Sequence, residues 1–174
     1  LYIHSRDGSR VVVASGGEHE SGWASGGSLD GGAAAWVRWD RQGGRLELWR
    51  WDGNVGARVV HSVPVATRRR RATPGGWTVI RGDTIVATLL NDFIGHVIAH
   101  HLQYGAVEVA KTQWATLHRD LVAEQEGKGL VAFSVCTDGP APSRVAVMDL
   151  SVWPPGVEEL GGGVMHSSES GVCH

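Results

Sequence analysis

From Asp83 to Glu126 the apolar residues recur at helical spacing through two successive segments divided by Gly105. In the first, Ile85 and Val86, Leu89 and Leu90, Phe93 and Ile94, Val97 and Ile98, then His101 and Leu102 return every four residues. At about 100° per residue these positions sweep one wide arc and leave Ala87, Thr88, Asn91, Asp92, Gly95 and Ala99 opposite. The pattern predicts a helix over residues 83–104, capped by Asp83 and left through Gly105, the residue best suited to a left-handed exit. In the second segment Val107, Ala110, Trp114, Leu117 and Leu121 keep the three-four spacing of a narrow seam. A second helix is predicted over residues 106–126, stopped by Gly127-Lys128-Gly129. Two helices joined at one glycine make a hairpin.

Around this block the pattern is strand-like. Arg10 to Ala14 is a short β run, and residues 15–32 are so rich in Gly and Ser that they read as a loop. Ala33 to Trp39, Arg45 to Trp51 and Ala57 to Ala66 follow as strands, with turns at Asp40-Arg41-Gln42-Gly43-Gly44 and Asp52-Gly53-Asn54. Trp77 to Ile80, Leu130 to Cys136 and Arg144 to Trp153 complete the strand candidates. The order predicts an α+β fold: an antiparallel meander of about five to seven strands with the helix hairpin packed on one face. Residues 1–153 would form a single domain and residues 154–174, rich in Pro, Gly and Ser, a C-terminal tail.

At 174 residues the chain is long enough for a real core. A net charge of −2 and a pI of about 6.5 argue against a general binder of nucleic acid or anionic membrane. Lys occurs only at 111 and 128, an Arg bias that reads as coding preference before function. Two cysteines, Cys136 and Cys173, do not make a disulfide framework and fit a reducing compartment. The first residue is Leu1, which reads as a processed or trimmed start. Asn91, Asp92, His96, His100 and His101 interrupt the one long apolar stretch, so no transmembrane segment is expected and the chain reads as soluble.

His96 and His100 are the clearest ligand chemistry, because positions i and i+4 share a helix face and could present two imidazoles to one metal ion. His118, Glu18 or Glu20 would complete the sphere, with zinc as the metal and hydrolysis as the reaction. The Glu of a His-Glu-x-x-His motif is absent, and packed helix-face histidines are the favoured explanation of the pair. Arg68, Arg69, Arg70 and Arg71 could grip phosphate, RNA or an acidic partner through guanidinium forks, or form a solvated loop. Trp36, Trp39, Trp49 and Trp51 interleave with Arg38 and Arg50 as a stacking platform, or as plain core. Arg81-Gly82-Asp83 spells an integrin tripeptide, with Asp83 already explained as a cap. Serine-hydrolase elbows, phosphate-cradling loops, dinucleotide turns and paired Cys-x-x-Cys motifs are missing.

Gly76-Trp77-Thr78-Val79 and Lys111-Thr112-Gln113-Trp114 resemble two strand motifs of the avidin and streptavidin family, in that family's order. The resemblance covers eight residues and implies alternating strands between the two motifs, where the helical period is sustained instead. The family's N-terminal Trp-x-Asn motif, with its ligand-binding Ser and Tyr, has no counterpart, so no binding residue is carried across. The expected function is a non-enzymatic binding, structural or assembly subunit that contacts another protein, or itself, through the Trp-rich sheet or the helix hairpin. No cofactor is called for on this reading. The alternatives are a metal-dependent hydrolase or metal-binding protein at His96/His100 and an RNA or polyanion binder at Arg68 to Arg71.

Overall fold

The computed structural model describes residues 2–4, 10–12, 22–53, 55–65, 75–91, 94–112, 114–117, 124–125, 128–136 and 144–160, and none of these is helical. A two-stranded ribbon pairs β1 (Tyr2–His4) with β2 (Arg10–Val12). Two four-stranded antiparallel meanders follow. The first is β3 (Gly22–Asp30), β4 (Ala33–Asp40), β5 (Arg45–Asp52) and β6 (Gly56–Pro64); the second is β7 (Gly75–Arg81), β8 (Thr84–Asn91), β9 (Ile94–His101) and β10 (Gly105–Thr112). The last sheet runs β11 (Trp114–Leu117), β13 (Lys128–Cys136), β14 (Arg144–Asp149) and β15 (Gly156–Leu160), with β12 (Glu124–Gln125) paired to β13.

The three larger sheets stack as layers, with β7–β10 in the middle. From one of its faces Ile80, Ile85, Ala87, Leu89 and Ile98 meet Ala33, Ala35, Val37, Leu46, Leu48 and Val63 of the first meander. From the other, Val79, Val86, Val97 and Ala99 meet Ala146 and Met148 of β14. Each large aliphatic side chain buried this way stabilises the fold by about 1.5–3 kcal/mol. The first two sheets lie closest where β3 and β4 meet β7, tied there by a polar relay: Ser28 Oγ donates to Thr78 Oγ1 and Thr78 Oγ1 donates to the Ala35 carbonyl, both at 3.0 Å. At the opposite edge, β6 and β10 touch at few points.

The helix hairpin expected over 83–104 and 106–126 is therefore replaced by strands β8 to β12, and the fold is antiparallel β rather than α+β. The reason lies in the burial of the central sheet. Residues i and i+4 share a face of a strand as well as of a helix, and a strand buried on both faces carries apolar residues at neighbouring positions. Ile85/Val86 and Val97/Ile98 are such doublets, one residue facing each neighbouring sheet. The seam of the second segment has a different origin. A bulge between Glu108 and Ala110 lets Val107 and Ala110, three positions apart, both pack toward β14, so a strand irregularity imitates helical spacing. Leu121 lies outside the described residues.

The end signals belong to turns. Asp83 sits in the two-residue link between β7 and β8, where its carbonyl accepts from Leu102 N at 3.0 Å. Gly105 does have a positive φ, 81°, but it opens β10 after a hairpin turn. Left-handed glycine serves both structures, so the residue type does not distinguish them. Two further segments differ from expectation: β3 occupies Gly22–Asp30 inside the expected loop 15–32, and β15 pairs with β14 inside the expected tail. The small residues that suggested a loop leave β3 able to lie against β7, and Gly31-Gly32, both at positive φ, close a tight hairpin to β4. No helix among the described residues is long and apolar enough to cross a membrane.

Candidate functional site

Strand alternation places the candidate residues. On β9, Ile98 faces the first meander, and His96 and His100 lie two residues to either side of it, on the same face. His101 faces the other way, stacked with Tyr104 at 4.7 Å between centroids and tilted against Trp153 at 5.5 Å. On β5, Leu46 and Leu48 face the central sheet and Arg50 continues that row; on β6, Val63 faces it, and His61 and Arg58 pair across from Leu48 and Arg50. The layer between the two meanders is thus apolar toward β4, β7 and β8 and polar toward β6, β9 and β10.

Within the polar part the charges are closely matched but unevenly shared. Buried Arg50 donates from Nε to Asp52 Oδ1 at 2.8 Å and from both terminal nitrogens to the Gly82 carbonyl at 3.2 and 3.3 Å. Arg58 reaches the other oxygen of the same carboxylate at 3.1 Å. One acid therefore serves two guanidinium groups. His96 Nδ1 donates to Glu108 Oε2 at 2.6 Å, across the β9–β10 ladder, which occupies the second acid. His100 is 8% exposed and its Nδ1 has no hydrogen-bond partner in the protein.

Both unpaired histidines are held below the usual imidazole pKa. For His61 burial is the main cause, reinforced by His96 and Arg45 and opposed by the Glu108 carboxylate. For His100 burial again leads, reinforced by Arg50, His61 and Arg58 and opposed only by its own backbone carbonyl. Removing water from an imidazole penalises its charged form, and neighbouring cations add to that penalty.

The metal reading can be placed against this geometry. His96 and His100 do share a face, but His118, Glu18 and Glu20 lie outside the described residues. Among the described residues no three His, Cys, Asp or Glu side chains are grouped to hold a metal ion. Arg68, Arg69, Arg70 and Arg71 also lie outside the described residues.

The tryptophans divide between two faces of the first meander. Trp39 packs on the inner core. Trp36, Trp49 and Trp51 cluster with Ala34 on the outer face, where Trp36 stacks on Trp49 at 5.9 Å and 15°. Arg38 lies over the Trp49 ring at 5.6 Å, and the Trp49 indole donates to Glu47 Oε2 at 2.8 Å. Trp36 is buried, so this platform is a packed cluster more than an open stacking surface.

The most open apolar surface lies elsewhere. The turns β3–β4, β5–β6, β7–β8, β9–β10 and β14–β15 all fall at one end of the stack. Gly82 N donates to Asp30 Oδ2 at 2.7 Å, Arg50 grips the Gly82 carbonyl, and Trp153 meets Tyr104 at 6.0 Å. Leu29 (62% exposed), Val55 (72%), Leu102, Tyr104 and Val152 project from this end. The sequence singled out none of them as surface: Leu102 and Tyr104 fell in the segment read as a helix, Leu29 in an expected loop, Val55 beside an expected turn and Val152 in an expected strand. It also gave no site role to Asp52, Arg58, His61 and Glu108 and read Arg50 only as part of the Trp platform, although the alternation Arg50-x-Asp52 is a same-face pair once the segment is read as a strand. No family model matches the chain, and no curated protein or solved structure matches it either.

Proposed function

We propose that the protein is a non-enzymatic binding or assembly subunit that docks another protein chain against the hairpin-tip end of its stacked sheets. One observation carries the reading. Of the nine large hydrophobic side chains exposed among the described residues, five (Leu29, Val55, Leu102, Tyr104 and Val152) sit at this one end. Single exposed apolar residues are ordinary, but apolar residues gathered on adjoining turns mark a contact surface. The tips are held by the Asp30–Gly82 and Arg50–Gly82 hydrogen bonds, so little order has to be gained on binding. The Trp-rich outer face of β3–β6 flanks this end through Trp51. Its stacked, paired side chains support a scaffold role in place of open recognition.

A photo-crosslinking residue at position 55 tests the proposal, with position 41 on the β4–β5 turn at the opposite end as the control. Protein adducts from position 55 that are absent from position 41 support docking at the tips. Equal adducts from both positions, or none from either, overturn it.

A further inference from the structure

We propose that His61 and His100 form a pH-operated latch between the first two meanders, one that holds β6 against β9 and β10 while both imidazoles are neutral and releases it when they take up protons. This goes beyond the docking reading and does not depend on it.

Charged and titratable groups from four strands face the pair. Arg45, Arg50 and Asp52 come from β5, Arg58 from β6, His96 from β9 and Glu108 from β10. The two acids in this group are already engaged: Asp52 by both Arg50 and Arg58, and Glu108 by His96. A proton taken up by His100 would place a third cation beside two arginines, with no carboxylate left to bond it. His100 Nδ1 has no hydrogen-bond partner in the closed layer, and of the groups around the ring only its own backbone carbonyl favours the charged form. A charge buried without a partner is costly, and the system relieves the cost by letting water in.

The layer is built to open on this side. The two sheets are in closest contact at the β3/β7 edge, where the Ser28–Thr78–Ala35 relay ties them, and touch at only a few points at β6 and β10. The apolar residues Ala33, Ala35 and Val37 of β4 and Ile80 of β7 lie toward the tied edge, and the histidines of β6 and β9 lie toward the other. In the open state both imidazoles meet water and regain ordinary basicity. The closed contact is therefore fully stable above the ordinary histidine value, about pH 6.5, and weakens as pH falls below it. His101 faces β14 and β15 and plays no part.

Hydrogen exchange of the intact protein, corrected for the intrinsic pH dependence of exchange, tests the latch between about pH 7.5 and about pH 5.5. Amides of β6 and β10 are expected to lose protection several-fold on acidification, while β4, β7 and β8 keep theirs. The double substitution His61→Gln, His100→Gln abolishes the acid response, and His101→Gln leaves it intact. If the double variant does not fold, His61→Gln alone carries the test, since His61 is only half-buried and removes one of the two charges. Unchanged β6 and β10 protection in the native chain, or an acid response that survives His61→Gln undiminished, overturns the proposal.

Discussion

The layer between the first two meanders has two halves built on one alternation and filled with opposite chemistry. Toward β4, β7 and β8 it holds Ala35, Val37, Ile80, Ile85 and Leu89, all buried and without a charge among them. Toward β6, β9 and β10 it holds Arg50, Arg58, His61, His96 and His100 with only Asp52 and Glu108 as acids. The first half supplies cohesion that does not depend on pH, since transfer of apolar surface involves no proton. The second half supplies cohesion that does, because its stability rests on imidazoles staying neutral beside cations. A chain can thus keep a permanent joint and a conditional one within a single interface by changing residue type along the sheet.

Substitutions separate the two halves. Ile80→Ala, on β7 in the apolar half, should cost about 2–5 kcal/mol of unfolding free energy, and by the same amount at neutral and mildly acid pH. A loss that varies with pH would break the comparison. Arg50→Met should cost less, about 1–3 kcal/mol, because it removes hydrogen bonds to Asp52 and the Gly82 carbonyl yet leaves Arg58 on the acid. Denaturant unfolding measures both.

A smaller effect is expected outside this layer. The Trp36–Trp49 stack should show a coupling of about 0.5–1.5 kcal/mol in a double-mutant cycle, and a coupling near zero would mean the outer aromatic cluster is held only by area. His100→Leu should lie within about 1 kcal/mol of the native chain at neutral pH, since an unpaired buried polar group is exchanged for an apolar one. The same variant should flatten the fall in stability on acidification, because it removes an imidazole whose folded-state pKa lies below its unfolded one. Val55→Ser should change stability by less than about 0.5 kcal/mol and weaken only partner contact, as expected of an exposed turn residue.

The sequence made parts of this legible for definite physical reasons. The strands β4, β5 and β6 follow from their turns and from paired Trp positions, and Trp36 does face Trp49 in register. The central sheet misled because burial on both faces erases the alternation that marks a strand, leaving doublets whose four-residue return suits a helix equally. His96 and His100 remained a same-face pair under either reading, since four residues return to the same side of both structures. Their partners were hidden for another reason. Glu108 meets His96 only through the register of the β9–β10 hairpin, and His61 and Arg58 approach from another sheet altogether. Local spacing carries no information about contacts between layers.

Residue-resolved NMR titration of the histidine rings tests the central claim most directly. The account expects His61 and His100 to titrate below the ordinary imidazole value of about 6.5, with loss of protection at β6 and β10 accompanying their protonation. If both rings titrate at or above that value, the polar half of the layer is not held by neutral imidazoles and the contrast between the two halves fails.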